Sequence, residues 1–137
     1  MDDYAIVAQA GAICFRTTTD GHEILLVTSS EGRWIFPKGH VEPDDTPQAT
    51  ALNEAFEEAG VHGLVVGPVV ASYEYVKVGP RRLCIVDLYP VRVEMVMEDW
   101  DESERRARRW VALHEAEHHV GLEEGAEILE AFRAFLG

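Results

Sequence analysis

The chain has 137 residues, enough to bury a core of its own and too few for two average domains, so residues 1–137 read as one domain. Hydrophobic residues make up 47% and charged residues 27%, the balance of an ordinary globular protein, and no Pro, Ser or Gly tract reads as a linker or as disorder. A net charge of −13 argues against polymeric nucleic acid and anionic membrane surfaces as partners, whereas small phosphate esters stay eligible because charges beyond about 8 Å are largely screened at physiological salt.

Met1-Asp2-Asp3-Tyr4 carries no basic region followed by an apolar run, so no signal peptide is expected, and no apolar segment reaches the ~20 residues of a membrane span. Ala5 to Phe15 and Glu23 to Thr28 are β-rich runs separated by Thr17-Thr18-Thr19-Asp20-Gly21, which predicts a hairpin. Ser29-Ser30-Glu31-Gly32 is a second turn, and Arg33-Trp34-Ile35-Phe36 a short strand that delivers Pro37-Lys38-Gly39. Cys14 and Cys84 are solitary within apolar strand-like runs and read as buried thiols, which places the protein in the cytoplasm.

A helix is predicted next. Thr46 is a good N-cap, Pro47 suits the first helical position, and Gly60 marks the exit. At about 100° per residue, Glu54, Glu57 and Glu58 fall within one arc, opposite Leu52, Ala55, Phe56 and Ala59. One face therefore packs on a sheet and the other presents three carboxylates. Like charges at this spacing cost a few tenths of a kcal/mol each unless something neutralises them, and a divalent cation does so. A plain solvated acidic face is the competing reading of the three glutamates alone.

Two extended segments follow, Leu64 to Tyr75 and Arg82 to Val96, with Val78-Gly79-Pro80 as the turn between them. Pro90 has no N–H for a ladder and predicts a bulge or an edge position. An acidic block from Glu98 to Glu104 precedes the basic Arg105, Arg106, Arg108 and Arg109, and then Trp110-Val111-Ala112-Leu113 reads as a short strand. From Glu123 to Leu136, apolar residues at helical spacing (Ile128, Leu129, Phe132, Phe135, Leu136) predict a helix covering the other face of the sheet. The architecture is an α/β/α sandwich around a mixed sheet, of the α/β (α+β) class.

The stretch from Gly39 to Val61 resembles the Nudix box, whose pattern is Gly, five residues, Glu, seven residues, then Arg-Glu-apolar-any-Glu-Glu-any-Gly-apolar. Gly39, Glu54, Glu57, Glu58, Gly60 and Val61 match, and Ala55 is an acceptable apolar residue. Asp45 stands where the pattern has Glu, and Asn53 where it has Arg. The resemblance implies the same sandwich fold. It also implies that the residues at 45 and 53 support the box, here through a shorter and weaker Asp45–Asn53 hydrogen bond, while the later glutamates bind metal.

The activity so implied is Mg²⁺-dependent hydrolysis of a pyrophosphate linkage, with Mn²⁺ as the alternative ion. Glu54, Glu57 and Glu58 supply the catalytic and metal-binding carboxylates, the Gly39 carbonyl joins the metal ligands, and Glu54 is the candidate base. Glu94, Glu98, Asp101 and Glu102 are open alternatives for a further acidic ligand, most of them expected to be solvated or paired with the arginines downstream. Lys38 and Arg33 are candidate phosphate contacts. His40 either donates to phosphate or caps the loop. Lys77, Arg81 and Arg82 read as a solvated turn, His114, His118 and His119 as surface residues, and Trp34, Tyr73 and Tyr75 as core before base-stacking platforms.

Arg33 to His40, with Trp100 to Arg106 ahead of Arg109-Trp110-Val111, is similar in local wording to the Nudix subset that cleaves diadenosine polyphosphates and diphosphoinositol polyphosphates. Nucleotide sugars, ADP-ribose and oxidised nucleotides are the other pyrophosphates in view. A non-catalytic nucleotide-binding or sensor domain with a degenerate box is the reading from a different class, kept open by Asp45 and Asn53. Proteins of this fold class often form dimers, so a homodimer is the assembly in view.

Overall fold

The computed structural model describes residues 3–137. The chain forms β1 (Ala5–Thr18), β2 (Gly21–Thr28), β3 (Trp34–Ile35), β4 (Lys38–His40), α1 (Pro47–Ala59), β5 (Val61–Val65), β6 (Ala71–Lys77), β7 (Arg82–Val96), β8 (Arg108–Ala112), a 3₁₀ segment over Leu113–His118, and α2 (Gly125–Leu136). All eight strands belong to one mixed sheet, in which β1 runs parallel to β7 and every other pairing is antiparallel.

Strands β1 and β7 form the spine, and each borders two shorter strands in succession. Strand β1 pairs with β4 through Gln9–Gly11 and then with β2 from Cys14 to Thr18. Strand β7 pairs with β6 from Arg82 to Leu88 and with β5 from Val91 to Val96. The sheet is thus broad enough to carry a helix on each face, and β4 sits beside the spine where the predicted box begins.

Alternation along β1 sorts its side chains. Ala10, Ala12 and Cys14 face α1, while Ile13 and Phe15 face α2. On the first face Ala51, Ala55 and Ala59, spaced by four, meet the β1 alanines. Small residues on both sides bring the helix close to the sheet. On the second face Ile128, Leu129 and Phe132 pack on Phe36, Val86 and Leu88, with the Phe15 and Phe132 rings edge to face at 5.3 Å.

The hairpin, the bounds of α1 and the Arg82–Val96 strand stand as the sequence predicts. Three expectations change. Leu64 to Tyr75 is not one segment but two strands, β5 and β6, separated by residues 66–70, whose Val66 and Val70 N–H groups bond the Pro90 and Leu88 carbonyls. Pro90 is neither at an edge nor in a bulge. It lies mid-way along the central strand, where its missing donor faces that 66–70 interruption, and the irregularity of the β5–β7 ladder falls at His62/Gly63. The last helix starts at Gly125, two residues later than the apolar pattern suggested.

Cys14 and Cys84 are buried and unpaired, and burial pushes the Cys14 thiol up to about 12. No helix among the described residues is long and apolar enough to cross a membrane.

Candidate active site

Helix α1 is fixed at both ends by local chemistry. The Thr46 hydroxyl accepts from the Ala49 N–H at 3.1 Å, with Pro47 in the first turn. At the other end Gly60 adopts the left-handed conformation (φ 67°) and its N–H returns to the Ala55 and Phe56 carbonyls. Carbonyls of the last turn are then satisfied from far along the chain: the Glu102 N–H donates to Glu57, the Arg108 guanidinium to Ala59 and Gly60, and the Met97 N–H to Gly60.

Beneath the helix, Lys38 and His40 pair with Gly11 and Gln9 and so face the α2 side, whereas Gly39 pairs with Ala10 and faces α1. A Cβ at Gly39 would land on the Glu54 carboxyl, so any side chain there would push that carboxyl aside, and with glycine the carboxyl rests on the bare backbone. Glu58, only 5% exposed, is turned inward. One of its oxygens accepts from the Lys38 backbone N–H at 3.3 Å, the other from the Arg106 guanidinium at 3.3 Å.

The three glutamates therefore do not share one outlook. Glu54 and Glu57 line a small cleft of about 330 Å³ with Asp45, Thr50 and Asn53. Glu58 sits behind Lys38 and Arg106, which line a larger cleft of about 590 Å³. Burial pushes the Glu54 carboxyl up to about 8, with the charges of Glu58 and Glu57 adding to the effect. Burial also raises Glu58, against the pull of Arg106 and Lys38.

That electrostatic frustration is the test of whether a cation suits the residues. Glu54 is held beside two other carboxylates over a backbone segment, and a hard divalent ion relieves the repulsion. Among the described residues no three His, Cys, Asp or Glu side chains form a ready-made metal cage. Mg²⁺ does not need one, since it keeps several waters and takes only one or two carboxylates from the protein. The donor set fits such an ion.

Of the predicted phosphate contacts, Lys38 is placed best. Its ammonium lies 4.9 Å over the Tyr75 ring, and the Tyr75 hydroxyl is tethered to Gln9 Oε1 at 2.9 Å. Burial holds Lys38 below the usual lysine range, against the attraction of Glu58. Arg33 lines the same large cleft but pairs with Glu31 at 3.0 Å. His40 borders the small cleft instead, its pKa lowered by burial and then by Lys77 and Arg82. Tyr73 belongs to the core, at 4% exposed, and contributes to the lining of the large cleft, and its buried hydroxyl has no hydrogen-bond partner among the described residues. Trp34 is half-buried, with Arg109 stacked 4.5 Å over its ring.

Asp45 and Asn53 share the small cleft, but the expected hydrogen bond between them does not form among the described residues, because two shortened side chains fail to meet. Attachment of the loop to the helix runs instead through the Lys38 N–H to Glu58 and the Thr46 cap. Glu102 pairs with Arg105 and Arg106, as the acidic block was expected to do. What sequence reasoning missed is that Arg106 reaches on to Glu58. A box lacking its arginine was the available signal that a cation must come from elsewhere.

A family model described as NUDIX domain matches residues 7–132. Diphosphoinositol polyphosphate phosphohydrolase 3-beta of Bos taurus is 36% identical over 112 residues, covering 79% of this chain and 65% of that protein. Nudix hydrolase 16, mitochondrial, of Arabidopsis thaliana is 34% identical over 124 residues, covering 78% of this chain and 68% of that one. The chain thus spans about two thirds of the length of these curated relatives. Among solved structures, C. elegans Ap4A hydrolase superposes with a TM-score of 0.74 at 23% identity, over 96% of this chain and 99% of that one. The NUDIX domain of Shewanella oneidensis NrtR complexed with ADP ribose gives 0.74 at 17%, over 98% and 91%. At those identities the two structures speak for the fold alone.

Proposed function

The chain belongs to the NUDIX domain family, and on that premise we propose that residues 1–137 form a single Mg²⁺-dependent pyrophosphohydrolase domain acting on a polyphosphate ester. The observation that carries this reading is the meeting of Glu54 and Glu58 with the Lys38-Gly39 backbone beside a cleft lined by Lys38, Lys77 and Arg106. Glu54, Glu57 and Glu58, with the Gly39 carbonyl, are the groups that would hold Mg²⁺, and the chemistry supplied there is neutralisation of phosphoryl oxygens and a lowered water pKa.

The protein's own residues do the rest. The Lys38 ammonium, braced on the Tyr75 ring, binds a phosphate of the substrate. The attacking water forms a bond to phosphorus as the anhydride oxygen leaves with its electron pair, and Glu54, over Gly39, receives the water's proton. Two curated relatives support long polyphosphates as substrates, since their names are those of diphosphoinositol polyphosphate phosphohydrolases. The free, buried thiols support a reducing compartment, the cytoplasm in our reading.

The test is turnover of a panel comprising diadenosine polyphosphates, diphosphoinositol polyphosphates, ADP-ribose and nucleoside triphosphates, with Mg²⁺ and after chelation. Cleavage of a polyphosphate class that stops on chelation is the expected result. If no member turns over but some raise the melting temperature, the domain binds without catalysing.

Lys38→Met keeps the length of the side chain and the backbone N–H to Glu58 but removes the charge. A charge-assisted hydrogen bond is worth about 1.5–3 kcal/mol, so kcat/KM should fall about 10- to 150-fold, chiefly through KM. An unchanged KM would remove Lys38 from the phosphate site.

A further inference from the structure

In the box pattern an arginine precedes the first helical glutamate, and here that position is Asn53, which offers no charge and makes no hydrogen bond to Asp45 among the described residues. Three carboxylates on two turns of one helix still need a cation that holds them in place. One is present, and it comes from 48 residues beyond Glu58.

The Arg106 guanidinium is used on all its edges. Its Nε donates to Glu102 Oε1 at 2.7 Å, Nη1 to the Thr28 carbonyl at 2.7 Å and Nη2 to Glu58 Oε2 at 3.3 Å. The three side chains involved are largely buried, at 22% exposed for Arg106, 15% for Glu102 and 6% for Glu58. The loop bearing Arg106 is itself docked on the same helix turn, through the Glu102 N–H to the Glu57 carbonyl at 3.1 Å, and the Arg106 N–H closes back on Glu102. A planar fork with fixed donors meets three oxygens from three elements. A lysine presents a single point charge and cannot.

With the Lys38 N–H on its other oxygen, Glu58 is gripped from both sides. We propose that Arg106 is the positioning residue of the acid helix, a cation supplied from the loop after β7 that fixes the direction in which the Glu58 carboxylate faces the site. This inference rests on the hydrolase reading above. Arg106 acts through Glu58 and not on the substrate, although it also borders the large cleft.

Arg106→Ala and Arg106→Lys separate the possibilities. Mn²⁺ affinity is measured by calorimetry without substrate, alongside melting temperature without metal and steady-state kinetics. Partners that orient metal ligands are typically worth about 10- to 100-fold in metal affinity or activity, so Arg106→Ala should weaken Mn²⁺ binding by about that factor and lower kcat similarly, with KM within about threefold. Arg106→Lys, which keeps a charge in the cleft but loses the fork, should move in the same direction, and it carries the test if the alanine variant does not fold. Unchanged or tighter Mn²⁺ binding overturns the proposal, whether KM rises, as for a direct phosphate contact, or only the melting temperature falls, as for a structural brace. If the native chain neither binds Mn²⁺ nor turns over any substrate, the hydrolase reading fails as well, and the two failures are told apart.

Discussion

Glu58→Gln is expected to cut Mg²⁺-dependent turnover by about a hundredfold or more while costing the fold only about 2 kcal/mol. The substitution keeps shape and volume. It changes the hydrogen-bonding faces, because the carboxylate accepts from the Lys38 N–H on one oxygen and from Arg106 on the other, and an amide has only one accepting end. Whichever way the amide turns, its NH₂ confronts a donor. Either the loop carrying Lys38 loses its tie to the helix or Arg106 loses its grip. Outer partners of a metal site are already worth about 10- to 100-fold, and Glu58 is both a candidate ligand and the junction of loop and helix, so its loss should exceed that range.

Stability should suffer less. Breaking a buried ion pair by removing one partner costs about 3–5 kcal/mol when the other charge is orphaned. Here Arg106 keeps Glu102 and the Thr28 carbonyl, so its charge stays compensated. Glu54→Gln is the informative companion. Its carboxyl is buried beside Glu57 and Glu58, so neutralising it should leave the metal-free melting temperature unchanged or higher, while the rise on adding Mg²⁺ disappears. Turnover by Glu58→Gln within about threefold of native would place catalysis elsewhere.

The contrast between Glu58 and Glu54 shows where sequence reading succeeds. Both fall on one arc of α1 by spacing, and Thr46, Pro47 and Gly60 mark that helix because caps are made by the chain's own neighbours. Arg82 to Val96 was legible as a strand for a similar reason, being one extended segment with a turn before it. What spacing does not encode is which way a side chain turns once a distant group arrives. Glu58 points inward because of Arg106 and the Lys38 N–H, neither of which is its neighbour in sequence.

The same limit explains Pro90 and the 64–75 run. A proline inside a central strand violates a local rule, and the violation is harmless only because β6 stops and β5 starts on that side of β7. That handover is a property of three strands together. Conversely, the Asp45–Asn53 bond was what the resemblance to the Nudix box implied, and no hydrogen bond joins the two groups among the described residues.

Gly60→Ala should lower the unfolding free energy by about 3–5 kcal/mol and the melting temperature by about 10 °C or more. The left-handed backbone (φ 67°) accounts for about 1 kcal/mol of this. Packing supplies the remainder. A Cβ at residue 60 would lie 2.6 Å from Arg108 Nη1 and 2.8 Å from the Cβ of Trp100. The guanidinium can swing aside, but only by releasing the Ala59, Gly60 and Met97 carbonyls that it holds, and a Trp Cβ cannot move without its backbone. Gly32→Ala is the control, since Gly32 is also left-handed (φ 81°) with nothing within 4 Å of the added methyl, and should lose only about 1 kcal/mol. Equal losses at the two positions would mean that residues 97–108 are not firmly docked on α1. A larger loss at Gly60, accompanied by reduced turnover of the fraction still folded, would tie helix capping to the site, because the displaced segment carries Glu102 and Arg106.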